Sequence, residues 1–242
     1  MKRIVLMLLI TISGLVAKSQ NVVYDENAEV RVVEKFSGVD LSGSVTLYLS
    51  QGNTQGVAVS AGEAKYNSKI KTEVRNGVLH ISVDGGMWNG FNWTNKKLKA
   101  YVTVTDLNSI GVSGASLVNI TGPVKGTDLR LEVSGASEIK GIINVSRLNL
   151  DVSGASVARL SGSATEGLIN GSGACRVNSY DLSIDRCKVS SSGASSVRVT
   201  VNSELNADAS GGSNIYYKGS GTVKVLNTSG GATIKNRSGN DD

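Results

Sequence analysis

The side chains best suited to contact a ligand gather in residues 84–97, DGGMWNGFNWTNKK. Both tryptophans of the chain, Trp88 and Trp93, stand there with Phe91, Asn89 and Asn92. Flat aromatic faces can stack on sugar rings while neighbouring amides bond hydroxyls, and an exposed apolar loop marks a contact site. The same rings could instead plug an open end of the fold, because apolar core and unpaired strand edges must be covered by something. Both readings stand at the level of sequence.

No other residues assemble a reaction centre. The single histidine, His80, lies between Leu79 and Ile81 and points away from their face, toward solvent. Without a second His there is no further base for a Ser/His/Asp or Cys/His arrangement. Asp151, Asp181, Asp185 and Asp208 are scattered over outer positions, and neither HExxH, CxxC nor a repeated GGxGxD occurs. No metal or cofactor is expected. Cys175 and Cys187 are even in number, which in an exported chain favours a bridge. Their places in the repeat described next put them too far apart for one, so two buried thiols are the competing reading.

What must position any site is a repeat. VSGAS occurs from Val112, Val133 and Val152, followed by GSGAC from Gly171, SSGAS from Ser191, ASGGS from Ala209 and TSGGA from Thr228. The anchoring serines are 18 to 21 residues apart, a period near 19. Between corners, Leu129, Leu131 and Val133 alternate with polar residues, as do Leu148, Leu150 and Val152, so the unit consists of strands with one apolar face. Corners this short admit no helical crossover, and identical units must pair in parallel with the copies above and below. The chain therefore reads as all-β, a β-solenoid of about 19-residue coils.

Gly114, Gly135, Gly154, Gly173, Gly193, Gly211 and Gly230 share one place in the unit, where a sharp bend calls for positive φ. Ser116, Ser137, Ser156, Cys175, Ser195, Ser213 and Ala232 are expected to point inward just after it, their hydroxyls bonding neighbouring backbone. A serine recurring in every coil is a structural element, not a nucleophile.

Residues 1–19 read as an export signal: Lys2 and Arg3, an apolar run over residues 4–16, then Ala17 and Ser19 before the cut. Residues 20–29 are a linker and 30–108 an antiparallel, mainly β section that caps or begins the solenoid, with Asn76–Gly77 as a two-residue hairpin turn. The repeats fill 109–238, and 239–242 is a polar tail. The formal charge of +5 includes Lys2, Arg3 and Lys18, and removing these three leaves +2. With no Lys/Arg run and no basic face visible, nucleic acid is not expected as a partner. The expected mature chain has no membrane span; its flat walls leave room for a homo-oligomer.

The segments FSGVDL (36–41), VTLYLSQG (45–52), TEVRNGVLHISV (72–83) and VTVTDLNSIGVSGAS (102–116) closely resemble the bacterial head GIN domain proteins, a family of autotransporter adhesins. The resemblance covers about residues 30–238 and implies a right-handed β-helix-like architecture and an adhesin-like role, with no catalytic residues to carry over. The expectation is an exported, non-enzymatic scaffold in the periplasm, on the outer surface or secreted, contacting glycan or protein. An envelope structural or stress-response module that binds another bacterial protein is the alternative. A polysaccharide lyase or hydrolase fits less well, since such enzymes cluster carboxylates or cations in a cleft.

Overall fold

The computed structural model describes residues 25–83 and 97–239. Its regular structure is β throughout, apart from a 3-10 turn at Ala64–Lys69. The first half of the chain supplies β1 (Glu29–Arg31), β2 (Gly38–Leu41), β3 (Thr46–Gln51), β4 (Gly56–Ser60), β5 (Ile70–Arg75), β6 (Val78–Val83), β7 (Lys99–Val104), β8 (Ser109–Val112) and β9 (Leu117–Ile120). The repeats supply β10 (Val124–Val133), β11 (Glu138–Val152), β12 (Val157–Gly171), β13 (Arg176–Ser191), β14 (Ser196–Ala209), β15 (Asn214–Lys218), β16 (Thr222–Thr228) and β17 (Thr233–Asn236).

Successive coils pair in parallel, β10 on β11, β11 on β12, β12 on β13 and β13 on β14, each residue facing its equivalent about 19 positions on: Leu129 faces Leu148 and Leu150 faces Ile169. The strands are longer than the sequence suggests. β11 to β14 run for 14 to 16 residues because the chain bends without breaking its ladder. In β11, Ile139, then Ile143 and Val145, then Leu148, Leu150 and Val152 are buried, separated by outward pairs at Gly141–Ile142 and Ser146–Arg147. Three short inward runs per coil thus enclose one continuous aliphatic core, and removing that area from water is the main drive for stacking.

The SGA corner makes the tightest contact between coils. The seven corner glycines have φ between +69° and +77°. Each lies directly on the one before it, and the Ala136 and Ala155 N–H groups donate to the carbonyls of Gly114 and Gly135 at 2.8 Å. Behind the corner Ser116, Ser137, Ser156, Cys175, Ser195 and Ser213 are buried as expected, and Ala232 is half-buried in the last coil.

The N-terminal section is mixed, not purely antiparallel. β5–β6, β1–β4 and β4–β7 are antiparallel, and the β5–β6 turn carries Asn76 and Gly77 at φ 52° and 75°. β2 and β3 instead form a coil of their own, parallel to β6 and β7 on one side and to β8 and β9 on the other. Its corner, Ser42–Gly43–Ser44, sits beneath that of Gly114, so the glycine column begins at Gly43. Antiparallel β5, β4 and β1 then cover this end, as an exposed parallel edge requires. At the far end Lys235 is exposed and Arg237 half-buried, but Val225 and Leu226 on the outer strand β16 are 41% and 47% exposed. Leu226 occupies the inward place of Ala207, and among the described residues no strand pairs with the outer edge of β16.

Candidate functional site

The aromatic candidates Trp88, Asn89, Phe91, Asn92 and Trp93 lie outside the described residues. Their anchors do not. β6 ends at Val83 beside Gly43, and Leu98 accepts the Thr46 N–H at 2.9 Å, as Val45 accepts the Leu117 N–H one coil further on. The described ends on either side of the segment thus stand where the SGA corner stands in later coils.

His80 is half-buried on the outer wall, its Nδ1 3.1 Å from an Asp40 carboxylate oxygen. The two face each other across β6 and β2, and beyond Asp40 comes Gly111, which leaves room for the carboxylate. The repeated serines are inside. Ser195 Oγ donates to the carbonyl of Ser192 at 2.8 Å and lies 2.7 Å from Ser191 Oγ, so no corner hydroxyl behind a glycine is presented as a nucleophile. Cys175 and Cys187 are free and buried. Burial raises both thiols, that of Cys187 to about 12, which leaves them protonated and inert.

The outward side chains line up in ladders, one rung per coil. Along one wall Glu132, Asp151, Asn170, Ser190, Asp208 and Asn227 are consecutive rungs. The amides of Asn170 and Asn227 donate to Asp151 and Asp208 at 2.8 and 2.6 Å. With the corner serines, the last four rungs border an open groove of about 330 Å³ along the axis. A second ladder alternates sign: Asp128, Arg147, Glu166, Arg186, Glu204. Arg147 bonds Asp128 at 2.7 Å and Arg186 bonds Glu166 at 2.8 Å, and the hydrogen bond from Arg147 lowers the Asp128 carboxyl. It edges a second open groove, of about 450 Å³. Neither groove encloses a small molecule as a catalytic pocket does. Among the described residues no cluster of three or more His, Cys, Asp or Glu is placed to hold a metal.

A basic face exists after all, and here the sequence reading is corrected. On the wall after the SGA corner, β11 carries Lys140, β12 Arg159, β13 Arg176, β14 Arg198, β15 Lys218, and the last coil Lys235 and Arg237. The only carboxylate outward on these paired rungs is Glu138, bonded to Arg159; Asp181 stands in the irregularity that follows, outside the paired register. Each coil contributes a cation or two separated by some 19 residues, so no run appears in the sequence.

One ionised cluster ties the N-terminal segment to this wall. Asp25 accepts from Tyr101 Oη (2.8 Å), Lys99 Nζ (3.0 Å), Ser60 Oγ (2.9 Å) and the Asn27 N–H (3.2 Å). Burial alone raises its carboxyl, but the four donors together outweigh burial and hold it below its ordinary value. Burial and the bond to Asp25 push Tyr101 up to about 12, and Asp25 raises Lys99. The sequence reading did not single out these residues. They come from positions 25, 60 and 99–101, with no local pattern to link them.

The stacked coils, capped edge and laddered walls define a single-chain β-solenoid. The chain belongs to the head GIN domain family: the model described as "Putative auto-transporter adhesin, head GIN domain" matches residues 35–221. A "putative adhesin" from Bacteroides fragilis has the same fold at 24% identity and a TM-score of 0.80, with 86% of this chain and 95% of that chain covered. A "putative adhesin" from Parabacteroides distasonis is similar at 18% identity and a TM-score of 0.66, with coverage of 86% and 95%. From the same organism, a "Putative lipid binding protein" gives 18% identity, a TM-score of 0.60, and coverage of 88% and 95%. No curated protein matches. Among the described residues no helix is long and apolar enough to cross a membrane.

Proposed function

We propose that the chain is an exported, non-enzymatic binding scaffold of adhesin type that contacts glycan or protein through its outer walls and the aromatic segment 84–97. The observation that carries this reading is the ladder geometry. A rigid stack converts one outward residue per coil into a continuous row with a step of about 4.8 Å, which suits an extended partner better than a small substrate. The family's adhesin description supports it, and the lysines, small residues and apolar run of residues 1–19 support export.

The test is binding of the purified chain to a glycan array and to purified envelope proteins, with a variant in which Trp88 and Trp93 are both replaced by Ala. Saturable binding weakened by that variant supports the reading. Release of reducing ends from any glycan on the array contradicts it in favour of a lyase or hydrolase. The exposure of Val225 and Leu226 on β16 favours the second reading, an envelope module that docks another bacterial protein there. Surface proteolysis of whole cells separates the two: cleavage places the walls within reach of an outside partner, and protection favours a periplasmic one.

A further inference from the structure

We infer that the basic wall is the docking surface of a linear acidic polysaccharide, lying along the solenoid axis with its carboxylates or sulfates on the row of cations. The inference rests on the scaffold reading above and names its ligand class. Lys140 faces Arg159 directly, and Arg198 faces Asn178 on one side and Tyr216 on the other, with Lys235 beyond. Arg176, Lys218 and Arg237 flank this line on neighbouring positions. Six coils span about 24 Å, and every one of them presents a cation.

The same molecule shows what a purely structural arrangement looks like. On the second ladder Asp128, Arg147, Glu166, Arg186 and Glu204 alternate in sign, so each charge is satisfied by its neighbours. Like charges directly opposite one another are destabilising, yet Lys140 faces Arg159, and the wall as a whole carries seven cations and one outward carboxylate on its paired rungs, Glu138. Among the described residues only Arg159 of the seven has an ion-pair partner. A partner that supplies the missing negative charge accounts for this difference.

The geometry favours a glycan among polyanions. Four of the cations, Lys140, Arg159, Arg198 and Lys235, follow one axial line with the other three beside it, and the hydroxyl and amide side chains Ser196, Asn214 and Thr233 on the row of Arg176 are placed to bond sugar hydroxyls. Binding of single-stranded nucleic acid uses free aromatic faces for base stacking. Here Tyr216 is occupied by Arg198 and Arg237, at 5.6 and 5.2 Å from the ring centre, and Tyr180 by Lys218 at 4.8 Å.

The experiment measures binding of the full chain to immobilised polygalacturonate and heparin, with dextran, oligo-dT, duplex DNA and phosphatidylglycerol vesicles alongside, over a salt series. Expected is binding to the two acidic glycans that weakens with salt, no binding to dextran, and weaker binding to nucleic acid and vesicles. R159Q/R198Q/K235Q is expected to lose about tenfold or more, three exposed ion-pair contacts' worth. The exposed Lys140→Glu change alone is expected to weaken binding. R130Q/K188Q, on the wall that precedes the SGA corner, is expected to stay within about twofold. Failure to bind either acidic glycan, equal loss in both multiple variants, or tighter binding to DNA or vesicles overturns the inference. If it fails while a neutral glycan or a purified envelope protein binds all variants alike, the scaffold reading survives; if nothing binds, both fall.

Discussion

The carbonyl oxygen of Gly135 lies 2.6 Å from the point that a Cβ on Gly154 would occupy. The same relationship repeats up the column, Gly114 under Gly135 at 2.6 Å and Gly173 under Gly193 at 2.8 Å. The corner is therefore closed to side chains twice over, by a φ of +71° at Gly154 and by the backbone of the coil beneath.

Gly154→Ala is expected to destabilise the protein by on the order of 2–4 kcal/mol, the left-handed conformation adding to a backbone clash that an inflexible carbonyl cannot relieve. Gly122→Ala is the control. A Cβ added to Gly122 would meet nothing within 4 Å, and its φ is ordinary, so the change is expected to be neutral or mildly stabilising. Urea denaturation of both variants measures the difference.

The buried serines behind the corner should not behave alike. Ser195 Oγ bonds Ser191 Oγ and the Ser192 carbonyl, so Ser195→Ala should cost about 1 kcal/mol or more. Ser137 Oγ is buried with no hydrogen-bond partner among the described residues, so Ser137→Ala should be neutral or stabilising by a similar amount. Equal losses from the two changes would contradict the hydrogen-bond assignment.

Much of this geometry is legible in the residues, and the reason is physical. The glycine column, the inward small residues and the Asn76–Gly77 turn are local: each is set by a short motif and its φ requirement. The basic wall and the alternating ladder are not, because their neighbours stand 18 to 20 positions apart and a drifting period hides the alignment. The β2–β3 coil escapes notice for a related reason. Ser42–Gly43–Ser44 lacks the Ala of the motif, and its partners come from residues 78–104 and 109–120 instead of from adjacent units. The short distance from the Ser-Gly pair to Val39 and Leu41 was the available signal.

The thiols supply a third prediction. Cys175 and Cys187 are buried and unpaired, so the native protein should react very slowly with Ellman's reagent at mildly alkaline pH, and the unfolded, unreduced protein should release two equivalents. Absence of reactive thiol after unfolding would indicate a bridge.

Acid should act partly through Asp25. Its carboxyl is held below the ordinary value of 3.8 in the folded state, so ionised Asp25 stabilises above the unfolded value, and that contribution is lost as pH falls through the lower folded value. Lys99 and Tyr101 act in the opposite direction of pH. Raised Lys99 contributes below 10.5 and loses its contribution above it, while Tyr101, neutral to about 12 when folded and to 10.0 when unfolded, opposes folding as pH rises between those values. Asp25→Asn should lower the Tm at neutral pH and narrow the gap to wild type below pH 3.8. An equal gap at both pH values would remove the carboxylate from the explanation.

Everything proposed for the walls depends on one register, in which each residue faces its equivalent one coil away. Asn144 and Ser163 face each other on the outside of β11 and β12, with Ser163 Oγ 3.0 Å from Asn144 Oδ1. The most direct measurement is mild oxidation of the N144C/S163C variant, read by non-reducing electrophoresis and peptide mapping. The stacked register predicts an intramolecular bridge between positions 144 and 163, while N144C/T165C, offset by two positions along β12, stays reduced. Bridging in the offset pair and none in the aligned pair would contradict the ladder and the functional reading built on it.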